Sequence, residues 1–561
     1  MWPLLLLQLL LSFDAHQAHP LQLSNCNSSQ LKELSNVQAL TTLTLSNCKL
    51  SQLENAAFLR YNQLLELKLQ HSGLSTLQDF ALNGLTRLQR LSLAHNNISQ
   101  LGSWSAEPLA ALTLLDLSHN RIAELPAKFL ERYPQLQQLN LSHNLIMRLG
   151  VDCFHGLAHL KHLQLHHNQL QQLESSHFLG LNRLHSLELQ HNLIEQVQPA
   201  VFESNAQLRT LRLESNQLSQ LQFLQGHALS RLLHLNLSRN KLQQLEPLGF
   251  ASNVELQHLD LSHNLLRELH NDSLTGLESL EHLNVSHNAV SHIDAQSLQQ
   301  LSALIQLDLS YNQLHVLPES LLYSNTQLEQ LDICNNHLHK LPAHWLQHLT
   351  QLQQLKLAAN SLENAHWLQH LAPGLNRLAL RVDLSANRVQ SLNLSSLLNF
   401  QHVNLADNHW NCSWLIRNML RTPPANLNFG RVWPLLAASS DDVLQVKGVD
   451  CYDGHKNRSI VLLDMGELKS EQSTPCDCDE NSDELTPPPL SWPKIRTDRF
   501  DSRSVIIWML VAIAIAFAGL RWGKRFMDRT EGGRKLRLVN GVVASKVDYE
   551  THRLNNDRDR L

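Results

Sequence analysis

A 24-residue period constrains this chain more than any other feature. The frame Leu136-x-x-Leu139-x-Leu141-x-x-Asn144-x-Ile146 recurs with Asn at 96, 120, 144, 168, 192, 216, 240, 264, 288, 312, 336 and 360, without a slip. Cys48 and Ser72 hold the Asn position in two earlier copies. Asn387 and Asn408 continue the series at spacings of 27 and 21, which sum to two periods, giving sixteen units in all. One such unit cannot bury its apolar residues alone, whereas stacked units share a continuous core.

The unit can be read physically. Leu139 and Leu141 alternate with polar residues, as in a short strand with one face inward. The Asn stands where the chain turns out of the strand, and its amide can satisfy backbone groups that the bend leaves unpaired. A second apolar set follows on the return side, as Leu149 and Phe154, Leu173 and Phe178, Val197 and Phe202. Strands stacked at ~4.8 Å predict a curved parallel sheet, roughly 75–80 Å along its arc. Composition agrees. The chain is 43% hydrophobic but only 5% aromatic, and roughly a fifth of it is Leu, as a core of one aliphatic type requires. A net charge of −5 gives no support to nucleic-acid binding. Gly and Pro, at 19 and 18 residues, are too few for a collagen-like or mostly disordered chain.

Both ends carry apolar runs. Residues 1–18 read as a secretory signal peptide, with Leu4 to Leu11 as its core, although no Lys or Arg precedes the run. Residues 504–520 read as a transmembrane helix, its uncharged part running from Val505 to Leu520. Trp508 and Trp522 stand near its two interfaces. Seven Lys or Arg follow between Arg521 and Arg537, against four just before the run. The bias predicts a single-pass type I protein of the plasma membrane with its N-terminus extracellular. The eight Cys then fall outside the cell, where disulfides form. Residues 479–503, with Pro487-Pro488-Pro489, read as a stalk, and 521–561 as a cytoplasmic tail. The basic run in that tail suits anionic lipid, and the terminal Asp559-Arg560-Leu561 weakly resembles a PDZ-domain ligand.

The pattern L-x-x-L-x-L-x-x-N-x-L, at this copy number, resembles the extracellular leucine-rich repeat, and covers residues 40–410. The resemblance implies an α/β leucine-rich-repeat solenoid with a parallel sheet on its concave face. Residues 19–39 then form an N-terminal cap. Asn408-His-Trp-Asn-Cys412 resembles the start of the family's cysteine-bearing C-terminal cap, here 411–478, although Ser413-Trp414 follows where a second Cys is usual. The whole chain resembles single-pass surface proteins such as Toll-type ectodomains and the insect adhesion proteins chaoptin and connectin. Its tail of 41 residues is too short for a Toll/interleukin-receptor domain or a kinase.

Cys48 holds the Asn position of the first unit, and Cys26, three residues after Leu23, imitates it one turn earlier. Neighbouring turns match the ~4.4–6.8 Å between Cα atoms that a disulfide needs, so Cys26–Cys48 is predicted to seal the N-terminal end of the core. At the other end the expected pair is Cys412 with Cys451. Cys476 and Cys478 are too close to pair easily with each other, and are left to link chains or to pair within the cap. Cys153 and Cys334 read as unpaired structural residues.

No HExxH, GxSxG, P-loop or Rossmann glycine pattern is present, so neither an enzyme nor a cofactor is expected. One column is unusual: His71, His95, His119, His143, His167 and His191 precede the Asn in six successive units, and His263 and His287 repeat it. A second column holds His162, His234, His258 and His282. Strand stacking predicts neighbours ~5 Å apart on the concave face. The functional readings are a pH-sensitive surface or a zinc-bridging site; the plain one is that Ser-His-Asn suits the turn. Nine sequons offer glycosylation at Asn27, Asn97, Asn140, Asn236, Asn271, Asn284, Asn393, Asn411 and Asn457. Asn140, Asn236 and Asn284 are expected on the concave strands, although Leu-Asn-Leu-Ser also arises from the repeat itself. The expected function is cell-surface recognition or adhesion through a protein partner on the same or another cell, with a homodimer among the possibilities. The alternative is a co-receptor or innate-immune subunit acting with a separate signalling chain. The partner is expected against the first half of the array, at His95, His119, His143, His167 and His191, with binding that changes between about pH 7 and 5.5.

Overall fold

The structure, a computed structural model, describes residues 20–27, 34, 37–419, 425–429, 444–446 and 449–451. The signal peptide, stalk, apolar run Val505–Leu520, tail and Asn457 lie outside them. Among the described residues no helix is long and apolar enough to cross a membrane.

The repeats form a parallel solenoid around one 18-stranded sheet. Each strand pairs with the strand of the next unit, at a register that repeats the sequence period: Leu43 opposite Leu67, Leu163 opposite Leu187, Leu307 opposite Leu331. The irregular spacings are absorbed without breaking the sheet, since Leu355 pairs with Val382 and Val382 with Val403. The inserted residues of one return segment are offset by the shortened next one, and the ladder stays in phase.

The inward Leu positions are fully buried, as are Phe154, Phe178 and Phe202, whose rings follow one another at 6.2 and 5.9 Å. Val197 is only half-buried. Return segments are turns, short 3-10 helices and two-residue strands such as Gln172–Leu173, which pairs with Gln196–Val197, and among the described residues the one α-helix is Cys412–Met419 (α1). The helical half of the expected α/β solenoid is therefore slight. A 24-residue coil that spends a strand and a turn on one side has little length left for α-helical turns. At Gly276 (φ +93°) a Cβ would lie 2.6 Å from the Ala251 Cα, so the return side of neighbouring coils approaches too closely for any side chain there.

Both caps join the sheet. Pro20–Ser24 pairs in parallel with Thr42–Ser46 at an offset of 22 residues, so the N-terminal cap begins as one more coil. Cys26 and Cys48 are disulfide-bonded with Cα atoms 4.4 Å apart, as the sequence predicts. At the other end Leu427–Asn428 adds the last strand, after α1. Cys412 is buried and disulfide-bonded. The strand Leu444–Val446, antiparallel to Val449–Cys451, lies against α1. The Cys451 side chain lies outside the described residues, so the Cys412–Cys451 pair stands as a proposal. Cys153 and Cys334 are buried thiols, and burial pushes Cys153 up to about 12.

Candidate functional site

The turn that follows each strand is held by its Asn. Asn144 donates from Nδ2 to the carbonyls of Leu117, Leu141 and Ser142 at 3.0–3.1 Å, while its Oδ1 accepts from the Ile122 N–H at 3.0 Å. The same set repeats around Asn96, Asn192, Asn264 and Asn360. These amides bind one coil to the one before it and satisfy backbone groups that no water reaches.

The residue before each Asn has a left-handed backbone. His71, His95, His119, His143, His167 and His191 have φ between 52° and 56°. This corrects the expected placement on the sheet face. The column lies in the turn beyond the strand, where Ser215, Arg239, Tyr311 and Ala359 adopt the same φ in other units. His tolerates this region better than most non-Gly residues, which accounts for much of the column. The rings stack in parallel with centroids 4.0–4.3 Å apart from His71 to His191, closer than strand spacing implies. Desolvation, and for most members the neighbouring cations, hold His95, His119, His143, His167 and His191 below the usual histidine range, His143 at about 4. The expected change between pH 7 and 5.5 is thereby moved to more acid pH. Burial and neighbour repulsion both favour the neutral ring.

The second column does lie on the strands. His234, His258 and His282 are paired across the sheet, their rings stacked at 4.5 and 4.4 Å. With Arg212, Asp260 and Asp308 they line a shallow open groove on the outer sheet face. His162 belongs to the same frame but stands apart from this stack, opposite Gln138 and Ser186.

Between the two columns is a segment that the sequence reading missed. Two residues before the Asn, most units carry Ser or Ala, as at Ala94, Ser118, Ser142, Ser238, Ser262 and Ser286. Three successive units instead carry His166, Gln190 and Glu214. The buried atoms His166 Nδ1, Gln190 Oε1 and Glu214 Oε2 have no hydrogen-bond partner among the described residues. Arg212 Nε donates to Glu214 Oε1 at 2.8 Å, yet burial still raises the Glu214 carboxyl. His166 is held at about 4 by burial, then by His167 and Arg212. The departure from the repeat was the available signal. Among the described residues, two groups bring three possible metal donors within 4.8 Å of one another: His143, His166 and His167, and His258, Glu281 and His282.

Of the sequons, Asn97, Asn271 and Asn393 are exposed, as is Asn27. Asn140, Asn236 and Asn284 end their strands half-buried, each Oδ1 accepting from the N–H of the sequon Ser two residues on at 2.9–3.0 Å. Asn411 precedes α1 and accepts from the Trp414 N–H.

The leucine rich repeat family model matches the chain in eight segments that together run without a gap from residue 38 to 382. The chain belongs to the leucine-rich repeat family. No curated protein matches it. Among solved structures it is similar to Toll in the Drosophila Toll–Spatzle complex, at a TM-score of 0.62 and 23% identity over 72% of this chain. The chain spans 56% of the length of that Toll structure. It is also similar to the LRIM1/APL1C complex, at 0.51 and 20% identity, covering 77% of this chain and 69% of the other. A third is the plant peptide hormone receptor RGFR1 in complex with RGF2, at 0.51 and 21%, covering 70% of each. At these identities the likeness is one of fold.

Proposed function

We propose that the chain is a cell-surface recognition or adhesion receptor that binds a protein partner across the first half of its outer sheet face. The observation that carries this reading is the sheet itself. Its inward positions are Leu in nearly every unit, while the outward positions change from unit to unit, as Lys68, Asp116, Glu188 and Arg212 do. Outward groups already bridge neighbouring strands: Ser92 Oγ donates to Asp116 at 3.0 Å, and Gln164 Nε2 to Glu188 at 3.2 Å. A broad face of varied polar groups on a rigid array suits a protein partner better than a small molecule. The three similar structures are complexes, and that use of the fold is carried here by analogy.

In this reading Val505–Leu520 anchors the chain and the repeats stand outside the cell. A tag after His19 should be labelled on intact cells, and a tag after Leu561 only after permeabilisation. Cells expressing the chain should aggregate with partner-bearing cells, and replacing everything after Asp501 with a lipid anchor should leave aggregation intact. Loss of binding at a normal surface level would favour the co-receptor alternative, and labelling of the C-terminal tag on intact cells would defeat the topology.

A further inference from the structure

We infer that His143, His166 and His167 form a binding site for a divalent transition metal of the zinc class, bridging two neighbouring coils. His143 belongs to one coil, and His166 and His167 to the next. The His143 and His167 rings stack at 4.2 Å, and the His166 ring stands across both, at 5.2 and 5.3 Å with interplanar angles of 87° and 75°. One nitrogen from each lies within 4.8 Å of the other two. Zinc–nitrogen bonds of ~2.0–2.1 Å in a tetrahedron put donors roughly 3.4 Å apart, so side-chain rotations closing about 1.4 Å complete the set.

Three features set this place apart from the rest of the column. His166 replaces the Ser or Ala that most units carry at its position, so it is the residue that turns a stack of rings into a converging group. Its Nδ1 is buried with no hydrogen-bond partner among the described residues, which is an energetic cost unless something binds there. Its Nε2 faces Glu188, whose carboxylate oxygen is 3.9 Å away, beyond hydrogen-bond distance, so a shift of about 1 Å would let that carboxylate orient a ligating imidazole. Three imidazole nitrogens select zinc-class ions over Ca2+ and Mg2+, which prefer oxygen. The fourth position is open, as His167 is exposed.

The test is titration of the purified, chelator-treated full-length chain with Zn2+, with Co2+ as a spectroscopic probe and Mg2+ and Ca2+ as controls. One equivalent of Zn2+ should bind, and Co2+ should give a visible absorption band. His166→Ser restores a residue common at this position and should keep the metal-free melting temperature. It should weaken Zn2+ binding at least tenfold and abolish the Co2+ band, as should the double variant His143→Gln with His167→Gln. His287→Gln, at a stacked turn-column ring outside both donor groups, should change neither. Absence of one-equivalent binding, or binding undiminished in His166→Ser or in the double variant, would overturn the site.

Discussion

The two histidine columns have the same residue type and the same 24-residue spacing, but for different reasons. From His71 to His191 the column follows a backbone demand: each residue must adopt φ near 53°, and His is among the side chains that tolerate it. His234, His258 and His282 sit on ordinary strands whose neighbours at the same register are Thr210 and Gln306, so no backbone rule selects His there. A repeated residue carries little functional information where the repeat's own geometry calls for it. It carries more where the geometry is indifferent, or where, as at His166, it breaks the pattern.

The largest contrast is between the turn and the face. Asn264→Ala removes the donor to the Leu237, Leu261 and Ser262 carbonyls and the acceptor for the Leu242 N–H. It should cost on the order of 3 kcal/mol, at ~1–3 kcal/mol for each buried group left unsatisfied. His258→Gln, six residues earlier on the open face, should cost less than ~0.5 kcal/mol. Urea denaturation of both variants checks the pair, and equal losses would erase the distinction.

A second contrast concerns the turn alone. His119→Val forces a β-branched residue to φ 53° and should cost about 1–2 kcal/mol, whereas His119→Asn should be nearly neutral. If Val and Asn behave alike, backbone conformation is not what selects the column.

Acid should separate the columns more weakly. The lowered members of the turn column bind fewer protons folded than unfolded, so their contribution is fully present above about pH 6.5, the unfolded value. It is lost as pH falls towards about 4, the value for His143 and His166. With chelator present, the melting temperature should fall over that window. Replacing His95, His119, His143 and His167 with Gln should flatten the fall more than replacing His258 on the strands, which is also held low by burial and then by its neighbours His282 and His234.

The sequence showed most of the fold and less of the site. The Leu and Asn positions, the 27 and 21 spacings and the Cys26–Cys48 bridge were readable because each depends on the one-dimensional period alone. The left-handed turn at His71 to His191 is not legible, because spacing does not report φ and so cannot tell the last strand position from the turn beyond it. Asn205, Asn253 and Asn325 form a second set of buried amides. They occupy a return-side frame held by Leu181, Leu229 and Leu301 in other coils, and are fully buried. Their amides donate to return-side carbonyls such as those of Phe178, Leu229 and Leu298. Spacings of 48 and 72 residues, two and three periods, were the available signal.

If a protein partner lies on the first half of the outer sheet face, a glycan placed there should block it. Asp116→Asn creates an Asn-Leu-Ser sequon there, and Asp308→Asn creates the same sequon on the later half. Both side chains stand at a strand end where Asn140, Asn236 and Asn284 already occur, so the fold should accept them. The direct measurement is aggregation of cells expressing each full-length variant, at matched surface level and with glycan occupancy confirmed by a mobility shift. Asp116→Asn should abolish aggregation and Asp308→Asn should preserve it. Aggregation that survives the Asp116→Asn glycan, or is lost only with Asp308→Asn, would contradict it.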